Sequence, residues 1–129
     1  MELLFLQWIK QALSPLIGQQ GERLAKRYLE KQGQTFVAQN YRCRNGEIDL
    51  IMREQETLVF VEVKFRSKAH YGNAIDYFHA HKRRKFEAAI ANYLHQAGLN
   101  PSLVAHRIDL VGIELNANGA AQYTWLQNV

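Results

Sequence analysis

The stretch Leu58-Val59-Phe60-Val61 is apolar at four consecutive positions and runs directly into Glu62-Val63-Lys64-Phe65-Arg66. Side chains alternate faces along a strand, so this stretch is apolar on both faces. A strand of that kind is central and buried, with strands at its edges and helices covering its faces. Glu62 and Lys64 are then charges on a strand otherwise fit for a core. Such a conflict between local pattern and burial is where function is expected.

The rest of the chain supplies the partners that this strand needs. Residues 2–13 read as a short amphipathic helix, with Phe5, Trp8, Ile9, Ala12 and Leu13 at helical spacing, and Ser14-Pro15 interrupts it. A second helix is expected over 18–32, with Leu24, Ala25, Tyr28 and Leu29 as its buried face and Gly33 as its stop. Strands follow over 35–42, 47–53 and 58–66, with Asn45-Gly46 as a turn signal and a polar turn at 54–57. Residues 67–74 read as a loop and 75–97 as a long helix, with Phe86, Ala89, Ile90, Tyr93, Leu94 and Ala97 on one face. Strands over 104–115 and 122–127, joined through Asn118-Gly119, complete the chain. The expected fold is α/β, a mixed five-stranded sheet flanked by helices in the order α-α-β-β-β-α-β-β.

With 129 residues the chain is long enough for one domain with a real core, and 47% hydrophobic against 22% charged residues is ordinary for a globular protein. A single cysteine, Cys43, excludes an internal disulfide and a zinc site built on paired cysteines, and it fits a reducing cytoplasm. The N-terminus has no basic segment before its apolar residues, and Lys10 interrupts them, so no secretory signal is expected. No run approaches the ~20 apolar residues of a membrane helix. The net charge of +4 is concentrated. Between Lys64 and Lys85 seven basic residues face one acid, Asp76, a net of +6 that leaves −2 for the remainder.

Alternation places Ile48, Leu50 and Met52 on one face of the second strand, and Glu47, Asp49 and Ile51 on the other. A hairpin that closes Glu54 on Thr57 sets Asp49 directly opposite Glu62, with Cβ atoms about 5 Å apart. Two carboxylates so placed repel and require a cation. Lys64 supplies part of that charge, and a hard ion such as Mg²⁺ suits an all-oxygen site to which the Val63 carbonyl is a further candidate ligand. The chemistry that fits is phosphodiester hydrolysis, with Lys64 orienting or deprotonating water or stabilising developing charge. The pattern alone equally accommodates an ordinary Asp–Lys–Glu salt-bridge cluster on a sheet face.

Gly21-Glu22, Asn45-Gly46-Glu47-Ile48-Asp49-Leu50-Ile51, Val59-Phe60-Val61-Glu62-Val63-Lys64-Phe65-Arg66 and Arg107-Ile108-Asp109-Leu110-Val111 together resemble the YraN family of bacterial proteins. The resemblance runs over about residues 18 to 115, which leaves 1–17 as an N-terminal helical extension and 18–129 as the domain proper. That family is similar to archaeal Holliday-junction resolvases, among the restriction-endonuclease-like proteins with a PD…(D/E)xK signature. By resemblance, Asp49 is the signature aspartate, Glu62 the second acid and Lys64 the lysine, with Ile48 where the signature has proline. Glu22 matches a helix-borne glutamate that completes the metal site. The resemblance therefore implies Glu22, Asp49, Glu62 and the Val63 carbonyl as ligands of Mg²⁺ or Mn²⁺. The expected activity is that of an endodeoxyribonuclease, with branched or junction DNA as a candidate substrate. A junction resolvase needs two active sites, so a homodimer is a candidate assembly. Asp109 is read as a structural partner of a nearby arginine, and Gly21 as a place where helix and sheet approach closely.

Arg66, Lys68, Lys82, Arg83, Arg84 and Lys85 are candidate phosphate contacts, although the run from Lys82 to Lys85 spans a helical turn and points in several directions. His79 and His81 diverge on a helix and make no zinc pair. A nucleic-acid-binding protein or adaptor that keeps the fold without catalysis is the alternative reading.

Overall fold

The computed structural model describes residues 19–66 and 80–129. The expected helix over 2–13, the loop 67–74 with Lys68, and the start of the expected long helix lie outside those residues. The described elements are helix α1 over 19–31, strands β1 (Thr35–Cys43), β2 (Gly46–Glu54) and β3 (Thr57–Arg66), helix α2 (Ala80–Gln96), and strands β4 (His106–Leu115) and β5 (Ala121–Leu126). The strands form one five-stranded sheet in chain order. β1–β2, β2–β3 and β4–β5 pair antiparallel, while β3–β4 pair parallel, so the sheet is mixed.

β3 is the middle strand, as its two-sided apolar run requires. Val59 and Val61 pack under α1 with Ala25, Leu29, Leu50, Met52, Val111 and Ile113, and Val63 and Phe65 extend that layer. Phe60 faces the other way, into α2, with Ile48, Ile51, Phe86, Ala89, Ile90, Leu94 and Ile108. Burying these faces is the main stabilising term, at about 25 cal/mol per Å² of apolar surface. Ala97, expected on the buried face of the long helix, is exposed because α2 ends at Gln96.

The β2–β3 register pairs Glu54 with Thr57, Arg53 with Leu58 and Leu50 with Val61, as expected. It stops there, one step short of Asp49 and Glu62. On the other side, β1 pairs Gln39 with Leu50 and Tyr41 with Ile48, but Asn40 and Asp49 do not pair. Asn40 has a φ of 54°, a left-handed conformation that breaks the pleat and that asparagine tolerates better than most residues. The face assignment from simple alternation is therefore corrected. Ile48 lies with Ile51 against α2, while Leu50 and Met52 lie against α1. The change of face falls at Asp49. Beyond it β2 stays paired with β1 as far as Gly46 but no longer with β3, while the register of β1 on β2 shifts earlier, between Phe36 and Ala38.

Two glycines fix how the layers meet. A Cβ on Gly21 would stand 3.0 Å from the Phe65 Cβ, so its absence lets α1 approach β3. A Cβ on Gly46 would stand 2.5 Å from the Lys85 carbonyl oxygen. The β1–β2 turn is at Arg44 and Asn45, and Gly46 opens β2 against the backbone of α2.

Candidate functional site

Glu62 and Lys64 continue the α2 face of β3 beyond Phe60, at the end of the sheet where β2 and β3 part. Asp49 Oδ2 accepts a 2.8 Å hydrogen bond from the Val63 amide, taking the place of a backbone partner that the interrupted ladder no longer supplies. The carboxylate is thereby held beside Glu62 and Lys64. A cleft of about 610 Å³ opens there, lined by Asp49, Glu62, Val63 and Lys64, by the β1–β2 hairpin, and by Lys82, Lys85 and Phe86 of α2.

The electrostatics of this centre are strained. Glu62 is only 6% exposed. Its Oε1 lies 2.7 Å from Lys82 Nζ and 3.6 Å from Lys64 Nζ. Burial pushes the Asp49 carboxyl up to about 8, and Glu62, Glu22 and Glu47 add repulsion that the Val63 hydrogen bond only partly offsets. Burial also lowers the pKa of Lys64, and a hydrogen bond and charge repulsion from Lys82 lower it further. For Lys82 burial acts downward, but its hydrogen bonds to Glu62 and Lys64 outweigh it and leave the group above the usual lysine range. Both lysines thus converge on one oxygen of the Glu62 carboxylate, with Lys82 the nearer.

Glu22 projects from α1 into a neighbouring pocket of about 280 Å³ with Gln19, Arg23, Lys26, Gln39 and Asn40. Burial raises its pKa, a hydrogen bond from Asn40 opposes this, and the charges of Glu47 and Glu62 are felt there. The structure thus brings Asp49, Glu62, Val63 and Lys64 together, with Glu22 within electrostatic reach but in an adjoining pocket. Among the described residues no group of three or more His, Cys, Asp or Glu side chains is gathered tightly enough to hold a metal ion unaided.

The basic residues separate by position. Lys82 turns into the acidic centre, Arg83 pairs with Glu87 at 2.9 Å, and Arg84 is exposed. Lys85 is exposed along the cleft rim beside Arg42 and Arg44 of the hairpin. Arg42 pairs with Glu47, whereas Arg44 and Lys85 make no ion pair among the described residues. Arg66 ends β3 opposite Glu114. Asn40 and Arg44 are site residues that the sequence reading does not single out, and Lys82, expected there as a phosphate contact, instead pairs with Glu62. A signal for Asn40 was present, since an asparagine interrupts an otherwise regular strand.

Asp109 belongs to a different cluster, on the α1 face. It is fully buried and accepts hydrogen bonds from Arg107 Nε at 3.0 Å, Trp125 Nε1 at 2.9 Å and the Asn128 amide at 3.0 Å. Arg107 also bridges to Glu54, tying the β2–β3 turn to β4. The structural role expected for Asp109 is the one it has.

Fold and site together define a mixed α/β protein with two acids and two lysines at an opening in its central sheet. The chain belongs to the family described as Uncharacterised protein family UPF0102, whose model matches residues 21–113, and this is the YraN-like family that its motifs resemble. It is 45% identical over 111 residues to a UPF0102 protein of Colwellia psychrerythraea, covering 86% of this chain and 85% of that one. It is 43% identical over 115 residues to a UPF0102 protein of Aeromonas hydrophila, covering 89% and 85%. Against a UPF0102 protein of Photorhabdus laumondii the identity is 40% over 120 residues, covering 93% and 91%. The matched span takes in Glu22, Asp49, Glu62, Lys64 and Lys82.

Proposed function

We propose that this protein is a divalent-metal-dependent nuclease that hydrolyses DNA phosphodiester bonds, with branched DNA as the first substrate to test. The observation that carries the reading is the pairing of Asp49 with the Val63 amide beside buried Glu62, with a lysine of lowered pKa on the same strand. A carboxylate pushed up to about 8 is a group short of positive charge, and its free oxygen chemistry suits Mg²⁺ or Mn²⁺.

Asp49 and Glu62 would hold the ion, with the Val63 carbonyl and Glu22 as further oxygen donors. A divalent ion in such a place acidifies water and neutralises charge at phosphorus. The chain's own residues do the rest. The Val63 amide fixes the Asp49 carboxylate. Lys64, closer to neutrality than an exposed lysine, accepts a proton from the attacking water or donates to a phosphoryl oxygen. Arg44 and Lys85 on the rim attract the phosphodiester backbone.

The test is cleavage of linear, flapped and four-way-junction DNA with Mg²⁺ or Mn²⁺, beside Asp49→Asn and Lys64→Ala. Metal-dependent cleavage lost in both variants supports the reading, and cleavage that persists in both overturns it. A second reading is favoured by the lysine already seated on Glu62 and by the absence of a ready three-ligand cluster among the described residues. In it the fold binds DNA without cutting. DNA binding that survives EDTA, with no cleavage of any substrate, selects it.

A further inference from the structure

Lys82 reaches from the first described turn of α2 to Glu62, a carboxylate that β3 has carried into a nearly closed position. A buried carboxylate without a cation is unstable, and an ammonium at 2.7 Å makes the strong, charge-assisted hydrogen bond that such a group requires. Glu62 already has its cation, since Lys82 lies at 2.7 Å and Lys64 at 3.6 Å from the same carboxylate oxygen. A divalent ion entering there would compete with the Lys82 ammonium for the same Glu62 oxygen, and two cations on one poorly solvated carboxylate repel.

We propose that Lys82 is an internal counterion that holds Glu62 in the metal-free protein and must be displaced when a divalent cation enters between Asp49 and Glu62. The inference rests on the metal-dependent reading above. Lys82 is the better candidate to leave than Lys64. Its side chain is 32% exposed against 24%, and it stands in the first described turn of α2, whereas Lys64 is fixed on the central strand. The helix itself is seated, because the Lys85 carbonyl abuts Gly46. The displacement is therefore a rotation of the Lys82 side chain toward the cleft, with no movement of α2. Lys82 is in this sense a positioning residue, acting on Glu62 and through it on the ion.

The experiment is Mn²⁺ titration by calorimetry on the full chain, comparing wild type with Lys82→Gln, Lys82→Met and Lys82→Arg. Removing the competing ammonium should tighten Mn²⁺ binding on the order of tenfold in the Gln and Met variants. The Arg variant, which keeps a cation, should stay near wild type. Circular dichroism identifies any variant that fails to fold, and Met keeps the aliphatic stem of the lysine in place. Unchanged or weaker Mn²⁺ binding in a folded Gln or Met variant, with wild type binding the ion, overturns the counterion role alone. A wild-type protein that takes up no Mn²⁺ overturns both the counterion role and the metal-dependent reading.

Discussion

Asp49 Oδ2 accepts a hydrogen bond from the Val63 amide across the gap between β2 and β3, so the side chain completes a ladder that the backbones abandon. Structure and chemistry are thus assigned to different properties of one residue. The acceptor oxygen holds the strands, and the charge makes the site. Asp49→Asn retains an acceptor and removes the charge. It should preserve the fold while reducing divalent-metal affinity and cleavage by on the order of a hundredfold or more, since even outer-sphere partners of metal ligands are worth about 10–100-fold. Asp49→Ala also leaves the Val63 amide without its partner, and should be less stable than Asp49→Asn by about 1–3 kcal/mol in urea titrations.

The raised Asp49 pKa gives the metal-free protein a pH dependence of definite sign. A carboxyl pushed up to about 8 by burial in the folded state, far above the ordinary aspartate range, binds its proton more tightly when folded. Its contribution is present below the unfolded pKa and is lost as the pH rises through this window. Urea melts in EDTA should therefore show stability falling from pH 5 to pH 8. Asp49→Asn should flatten that slope and be the more stable protein at pH 8.

Gly46 and Gly21 act by having no side chain. Gly46→Ala brings a Cβ within 2.5 Å of a backbone oxygen that has nowhere to go, and should destabilise by about 1–3 kcal/mol while shifting the hairpin off α2. Gly21→Ala meets Phe65 at 3.0 Å and should have the smaller effect of the two. Denaturant midpoints rank them.

Asp109 separates stability from function. It is a buried carboxylate with partners on β4, β5 and the C-terminal segment, and Asp109→Ala leaves Arg107 and Trp125 without an acceptor. The expected loss is about 3–5 kcal/mol of stability, with metal affinity of the folded fraction unchanged. Thermal melts and Mn²⁺ titration on the same sample report the two quantities.

Cleft-rim cations should be visible in salt dependence. Replacing Arg44 and Lys85 together by alanine should lower the slope of log affinity for DNA against log salt by about 2. Arg83→Ala should change it less, because Arg83 is already paired with Glu87.

Much of this was legible because apolar pattern and register are local properties. The two-sided run at Leu58 fixes β3 at the centre, and the Glu54–Thr57 turn fixes the register that brings Asp49 beside Glu62. Two things were not legible. Alternation assumes an unbroken pleat, so the left-handed Asn40 and the face change between Ile48 and Leu50 were invisible to it. The direction of a lysine within a basic helical run depends on how the helix is rotated against the sheet. That rotation is set by Phe86, Ile90 and Leu94 packing on Phe60, and by the seat of Gly46, not by the run itself. Lys82 therefore read as one cation among several, when packing had turned it inward.

The parallel pairing of β3 with β4 joins segments far apart in the chain, which bears on the expected order of folding. β1, β2 and β3 form an antiparallel meander of short connections, whereas β4 can join Leu58 to His106 only after the whole crossover through α2 has been made. Contacts between distant parts of a chain form slowly, because loop closure precedes any gain from them. Asp49, Glu62 and Lys64 all lie on the meander, and Lys82 lies on the crossover. The meander thus carries both acids with one cation, Lys64, and gains the second, Lys82, only with the crossover, so acidic pH or a divalent ion in the refolding buffer should speed refolding in stopped-flow measurements.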